Sequence, residues 1–340
     1  MARCLGCHQV SITISRALNL CVNCLRERFD EFYPKIQEFH RTTRLDFNLP
    51  EAPPKNGKRK CQLCINQCRF DGYGYCGEIE HKASYAWLDY YFDPLPTNCV
   101  ADWVCPGSKE IGFKNLAVFF RSCTFNCLFC QNWHFKNPRK RKVGTEELLL
   151  AIDEKTNCIC YFGGDPTPSL PFAINLSNQI RKQKKDFRIC WETNGSMNSK
   201  VLKKMIELSL VSNGILKIDF KTYSKELSYA LCGVSNEQTL KNIKLAATYI
   251  DKRPELPILV LSTLLVPGYI DTDELENMAK FIAELNPNIP WALLAFHPQF
   301  RLADLPTTSQ SHAEQAMSIA KEYGIKNVRI GNISLLGGAY

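Results

Sequence analysis

No stretch of the 340-residue sequence is apolar over the roughly 20 residues that a membrane-spanning helix needs. A helical membrane protein is therefore not expected. The start, Met1-Ala-Arg-Cys-Leu-Gly-Cys7, has no apolar core of the kind a secretory leader carries. One-sided charge is also missing: 42 basic residues face 34 acidic ones, and the formal surplus of +8 shrinks if any thiol binds metal as thiolate. The basic residues that do cluster lie at Lys55-Asn-Gly-Lys-Arg-Lys60 and Arg139-Lys-Arg-Lys142. Such short runs read as a solvated linker and loop before they read as a dock for RNA or an acidic partner. Apolar residues make up 45%, which excludes a disordered chain and supports a real core.

Cysteine, by contrast, is abundant, with seventeen in the chain. A secreted disulfide scaffold is excluded by size and by spacing, because paired C-x2-C units in a large chain signal metal binding. A reducing, cytoplasmic and anaerobic setting is expected. Residues 1–56 carry Cys4-x2-Cys7 and Cys21-x2-Cys24, two knuckles that can wrap one tetrahedral zinc and staple a piece too small to build a core. His8 is a bystander in this reading. Leu25 to His40 has helical spacing that Pro34 should break. A Pro-rich linker, residues 49–57, closes this module. Residues 57–108 form a second cysteine-rich segment with Cys61, Cys64, Cys68 and Cys76, a complete ligand set for zinc or for an iron–sulfur cluster. Cys99 and Cys105 are either spare ligands or free thiols.

From residue 109 to 340 the pattern alternates. Apolar runs at 116–120, 158–162, 187–191, 214–220, 257–266, 289–296 and 326–330 read as buried strands. Helical periods fill 145–154, 169–184, 198–210, 237–251, 271–285 and 309–323. This predicts an α/β fold, a partial (β/α)6 TIM-like barrel preceded by the cysteine-rich metal-binding modules. Ligands of such barrels collect at the C-terminal ends of the strands.

The first of those ends carries Cys123-x3-Cys127-x2-Cys130. Three thiolates on one loop can hold three irons of a 4Fe–4S cubane and leave the fourth iron open to a ligand. A structural zinc would ask for a fourth side chain. The next strand ends in Gly163-Gly164-Asp165-Pro166, where paired glycines admit close backbone approach and Asp165 can accept from a ligand ammonium. Further ends carry Glu192-Thr-Asn194-Gly195, Asp219-Phe-Lys221, Val266-Pro-Gly268 and His297. Singly these are turns, ion pairs and a structural histidine. Polar groups at successive strand ends together describe a ligand site.

The cysteine triplet resembles that of the radical S-adenosylmethionine (SAM) enzymes. The stretch from about 112 to 300 resembles their pyruvate formate-lyase activating enzyme group, whose Gly-Gly-Glu-Pro, Asp-Thr-Asn-Gly and Asp-Leu-Lys motifs stand here as residues 163–166, 192–195 and 219–221. Residues 61–332 are further similar to the radical SAM member of the AmmeMemoRadiSam system, through Cys61-x2-Cys64-x3-Cys68, Gly74-Tyr-Cys76-Gly77, Pro106-Gly-Ser108, Phe129-Cys-Gln-Asn132 and Val328-Arg-Ile-Gly-Asn332. The resemblance implies that SAM binds the open iron through its amino and carboxylate groups and is cleaved to a 5′-deoxyadenosyl radical. It implies that Gly163, Gly164 and Asp165 hold the SAM amino group and that Lys221 neutralises its carboxylate. Glu192 and Asp219 would build a monovalent-cation site, and Phe129 and Val266 would lie near the adenine. Asn132, Asn194 and His297 complete the implied SAM contacts. Asp165 is one methylene shorter than the family's Glu, and Glu192 one longer than its Asp. The implied substrate is a glycine of a partner protein, with an electron donor such as flavodoxin or ferredoxin. Two other readings stand beside it: radical modification of RNA or of another peptide, and a non-enzymatic metal-binding adaptor.

Overall fold

The computed structural model describes residues 1–97, 99–137 and 141–340. Arg139 and Lys140 of the second basic cluster lie outside the described residues. Two short strands, β1 (Ala2–Arg3) and β2 (Val10–Ser11), pair antiparallel around Cys4 and Cys7. Helices α1 (Val22–Glu27) and α2 (Phe29–Leu45) follow. A second small ribbon, β3 (Arg59–Lys60) against β4 (Arg69–Phe70), brackets Cys61, Cys64 and Cys68.

Pro34 does not break the helix. α2 runs through it, because a proline near the N-terminal end of a helix removes a single intrahelical bond. The buried face of Phe32, Ile36 and His40 holds the rest in place.

A nine-stranded sheet forms the body of the molecule. Its strands are β5 (Tyr85–Pro94), β6 (Lys114–Phe120), β7 (Lys142–Gly144), β8 (Thr156–Gly163), β9 (Arg188–Thr193), β10 (Leu216–Asp219), β11 (Leu259–Leu265), β12 (Trp291–Ala295) and β13 (Val328–Gly331). They lie in the order β13-β12-β11-β10-β9-β8-β6-β5-β7. The run from β6 through β8 to β13 is parallel throughout. Parallel neighbours require crossovers. These are supplied by α3 (Thr145–Ala151), α4 (Leu170–Gln183), α5 (Ser199–Leu210), α6 (Lys225–Cys232), α7 (Glu237–Ala247), α8 (Thr272–Leu285) and α9 (Gln310–Glu322). Six strand–helix units and a closing strand make the expected open barrel, and all seven expected strands are present.

Two sheet members were not expected. β5 pairs antiparallel with β6 from Leu88↔Phe120 to Pro94↔Lys114, and β7 pairs with β5. β5 mixes half-buried aromatics with Asp89 and Asp93, so its text lacks the apolar run of the parallel strands. It belongs to the stretch assigned to the second cysteine-rich segment and nonetheless enters the main sheet, between β6 and the edge strand β7.

The N-terminal residues are tied into the same hydrophobic cluster as the barrel. Arg26 of α1 forms a two-pronged ion pair with Asp271 at 2.7 and 2.6 Å, and Asp271 also caps α8 by accepting from the Glu274 N–H. Tyr269 Oη accepts from Ser15 N and donates to the carbonyl of Leu20.

The deepest link is His40 on α2. Its Nε2 donates to the Ala230 carbonyl at 3.0 Å, and its Nδ1 accepts from the Asn126 amide at 3.0 Å. Gly233 gives it room: the glycine sits at φ +73°, and a Cβ there would meet His40 Nδ1 at 2.7 Å. Burial, aided by Lys136 and Arg44, pushes the His40 imidazolium down to about 4. A depressed histidine leaves stability intact above its unfolded value near 6.5 and removes it as pH falls toward 4. We expect acidification from pH 7 to 4.5 to cost roughly 2 kcal/mol at this residue alone. Denaturant titrations at the two pH values should show a smaller acid loss for His40→Gln than for the unsubstituted chain.

Candidate functional site

The C-terminal ends of β6, β8, β9 and β10 open into one cavity of about 230 Å³. Its walls include all three residues of the expected triplet, Cys123, Cys127 and Cys130. Most of the bonds that hold the loop in place do not involve the thiols, though Phe125 N approaches Cys123 Sγ at 3.4 Å. Asn126 N donates to the Cys232 carbonyl at 2.9 Å and Leu128 N to that of Leu231 at 2.8 Å. The Leu128 carbonyl accepts from Arg301 N at 2.9 Å. Thr124 Oγ1 accepts from the Asn194 amide at 2.7 Å and shares a bond of 2.7 Å with Ser196. Asn66 donates to the Thr124 carbonyl at 2.9 Å. Fully buried Asn126 donates to His40 and to Thr43, and accepts from Lys136 Nζ at 2.6 Å. Its backbone and amide groups are thus held chiefly by neighbouring elements, and its three cysteines line the cavity.

Gly163 and Gly164 line the cavity, but their lack of side chains serves the protein's own backbone first. Gly163 sits at φ +106°, and a Cβ there would stand 2.6 Å from Phe120 N. At Gly164 a Cβ would stand 2.3 Å from the Ser122 carbonyl oxygen. The glycines let the end of β8 close onto the start of the cysteine loop, where Gly164 N donates to Phe120 O and Asp165 N to Ser122 O, each at 2.9 Å.

Asp165 is buried and does not line the cavity. Its Oδ1 accepts from Thr193 Oγ1 at 2.7 Å and Asn194 N at 3.0 Å, and its Oδ2 from Thr167 N at 3.0 Å. It therefore fastens the strand end of β8 to that of β9. Glu192, Asn194, Asp219, Lys221, Phe129 and Asn132 all reach the cavity wall. Val266 is buried outside it, and His297 is exposed outside it. Neighbours that the sequence did not single out are Lys136, Phe135, Ser262 and Leu264. Ser262 donates to Asp219 Oδ1 at 2.9 Å, from the strand next to β10.

Charge is balanced around the thiols. Burial holds Cys123 well above the ordinary thiol range, with Asp165 adding to the effect. Burial likewise raises Cys130 to about 11. Cys127 is lowered, chiefly by a hydrogen bond from the Cys232 thiol. Two ammonium groups face this set. Lys221 pairs with Asp219 at 2.9 Å, and the attraction of Asp219 and Cys127 outweighs its burial, so it stays charged. Burial lowers Lys136 to about 8. A trithiolate metal cluster fits this donor set: three buried sulfurs on one loop, with cations placed to offset the charge that metal binding creates.

Elsewhere, Cys4, Cys7, Cys21 and Cys24 bring all four sulfurs within 4.8 Å of one another. Cys21 lies 3.6 Å from Cys4 and 3.7 Å from Cys7. A tetrahedral metal with bonds of about 2.3 Å to sulfur demands separations of about 3.8 Å. Among the described residues no other group of three or more such side chains is drawn this close. His8 stands outside the group. Cys61, Cys64, Cys68 and Cys76 line a small enclosed space behind Thr124, together with His81. His81 Nδ1 donates to the Pro168 carbonyl at 2.7 Å, which leaves Nε2, 3.4 Å from Cys61 Sγ, as a further lone pair in that space. Nothing in the local sequence around His81 signalled this position.

A model of the radical SAM superfamily matches residues 117–282. The chain is 30% identical over 299 residues to the uncharacterised protein MJ0808 of Methanocaldococcus jannaschii, covering 82% of each chain. It is 30% identical over 182 residues to the putative glycyl-radical enzyme activating enzyme MJ1632 of the same organism, covering 51% of this chain and 64% of that one. A crystallised domain of a pyruvate-formate lyase-activating enzyme from Bacteroides vulgatus superimposes with a TM-score of 0.41 and 22% identity, over 51% of this chain and 98% of that one.

The closeness of Gly164 to Ser122 generates a test. Gly164→Ala should push the start of the cysteine loop aside at a cost of roughly 1–3 kcal/mol. Iron retained per chain after anaerobic reconstitution should fall well below that of the unsubstituted protein, while circular dichroism keeps its helical content.

Proposed function

This chain belongs to the radical SAM superfamily, and on that premise we propose that it is an enzyme abstracting a hydrogen atom from the glycine Cα of a partner protein. Cys123, Cys127 and Cys130 would hold the 4Fe–4S cluster. Bound there with SAM and given one electron, the cluster supplies homolysis of the sulfonium to a 5′-deoxyadenosyl radical. The single observation that carries the reading is the convergence of the three thiols with Asn194, Asp219 and Lys221 on one cavity at the strand ends.

The chain's own groups then have definite tasks. Lys221, steadied by Asp219, offers its ammonium to the SAM carboxylate. Backbone carbonyls at Gly163 and Gly164 are acceptors for the SAM ammonium, and Asp165 holds the loop that carries them. Phe129, whose ring lies 5.7 Å from Lys221 Nζ, and Leu264 supply apolar wall for the adenosyl group. Glu192 and Asp219 are the oxygen donors for a monovalent cation. The partner-protein substrate is supported by the name given to MJ1632. A flavodoxin or ferredoxin is the class of donor we assign for the electron.

We assign zinc to Cys4, Cys7, Cys21 and Cys24. The second cysteine set, with His81 beside it, takes zinc or an iron–sulfur cluster. The cytoplasmic setting we assign rests on the spacing of the cysteines, whose C-x2-C pairs suit metal sites kept reduced. No helix among the described residues is long and apolar enough to cross a membrane.

The decisive assay is release of 5′-deoxyadenosine from SAM by the anaerobically reconstituted, dithionite-reduced protein. Release should occur in the unsubstituted chain and vanish in Cys127→Ala. Lys221→Met should weaken SAM binding by roughly tenfold or more while iron content is unchanged. A fully loaded cluster that leaves SAM intact would sink the proposal.

Zinc has its own test. Cys24→Ser should lose the zinc of the N-terminal module on metal analysis and melt at a lower temperature, because the ion would tie the ribbon to the turn from which α1 begins.

A further inference from the structure

One layer below the SAM cavity, toward the N-terminal ends of the strands, the barrel interior is hollow. A second cavity of about 100 Å³ lies there, and Phe162 and Glu192 line both. Inward positions of such barrels are ordinarily filled by bulky branched side chains. Here they carry Cys158 and Cys160 on β8, Cys190 on β9 and Lys217 on β10. Cys99 and Cys105, from the segment between β5 and β6, face the same space. Cys160 and Cys190 are register partners on adjacent parallel strands, so their side chains stand side by side.

Lys217 shows what this space is built for. It is 2% exposed, and its Nζ lies 3.0 Å from Cys160 Sγ and 3.1 Å from Cys99 Sγ. The nearest carboxylate oxygen, on Glu192, is 4.0 Å away. A buried ammonium is costly unless anions meet it, and neutral thiols are weak acceptors. Thiolates bound to a metal are anionic, and hydrogen bonds to such sulfurs stabilise a cluster. Cys158 is already engaged, with its sulfur donating to Asn115 Oδ1 at 3.3 Å. Four thiols remain. Unlike the N-terminal four, they are not gathered to the spacing of a single ion, so a larger polynuclear group suits them.

We propose that Cys99, Cys105, Cys160 and Cys190 hold an iron–sulfur cluster inside the barrel, with Lys217 donating to two of its thiolates. This cluster is separate from the one at Cys123, Cys127 and Cys130, and it shares a wall with the cavity in which the radical is formed.

The test is the full chain, reconstituted anaerobically with iron and sulfide and reduced with dithionite. Iron, acid-labile sulfide and the electron paramagnetic resonance spectrum are recorded without SAM. Cys160→Ser/Cys190→Ser should lose one cluster's complement of iron and sulfide and one spectral component. Cys99→Ser, which leaves the strands untouched, should lose or alter the same component. That component should persist in Cys123→Ala and in Cys61→Ala, which alter the other cysteine sets. If both barrel variants keep the iron, sulfide and spectrum of the unsubstituted chain, or if the metal they lose is zinc, the inference is overturned. Because the readout needs no SAM, failure of SAM cleavage with this component intact would count against the proposed function and leave the cluster standing.

Discussion

The arrangement depends on how the chain makes three thiols available on a loop without leaving that loop's backbone in want of partners. A buried polar group with no partner costs about 1–3 kcal/mol, so an irregular loop inside a barrel mouth must be satisfied from outside itself. Asn126 is the hub. It binds α2 through His40 and Thr43, the end of α6 through its backbone N–H, and the continuation of its own loop through Lys136. Its amide has two donors and an acceptor, and all are used. The loop's shape therefore rests mainly on groups other than its thiols, which suits those thiols to act as ligands.

This explains why the N-terminal helices cannot be regarded as an appendage. His40 reaches Asn126 from a helix 86 residues earlier in the chain, and Arg44 donates to the carbonyl of Tyr75 beside the second cysteine set. α2 thereby braces two cysteine-bearing loops at once. Arg26 and Ser15 fix the same module to the far side of the barrel through Asp271 and Asp304. A zinc ion at Cys4, Cys7, Cys21 and Cys24 would lock the turn from which α1 begins, since Cys21 immediately precedes the first residue of α1. The metal would then stabilise the cysteine loop at a distance, through helices that are in place only when the ribbon is folded.

The parts of the site legible in sequence were those whose chemistry is written into short spacing. The triplet at 123–130, Gly163-Gly164, Glu192 with Asn194, and Asp219 with Lys221 could be read because each sits at the end of a recognisable apolar run. The parallel strands could be read for the same reason. What escaped is long-range. β5 looks polar because one edge of it is half exposed, and only its pairing to β6 makes it a strand. Lys136 and His81 are single residues whose positions depend on folds of the chain that no local pattern encodes. The role of Gly163 and Gly164 was read as room for a ligand, whereas the tightest approach is to Phe120 and Ser122. Pro34 was overread: a local rule about helix breaking yields where tertiary burial holds the helix on both sides.

Charge links the two cavities. Along β9 and β10 the inward positions alternate between levels: Glu192 and Asp219 at the upper, Cys190 and Lys217 at the lower. Glu192 is raised by its burial and drawn back by Lys217, which couples its protonation to whatever occupies the lower space. If anionic thiolates engage Lys217 from below, less of its field reaches Glu192, and the upper cavity becomes a poorer home for a carboxylate and a better one for a cation that would keep Glu192 ionised. Metal loading in the lower chamber and cation binding in the upper one are then linked events, transmitted over a single side chain rather than through any movement of the barrel.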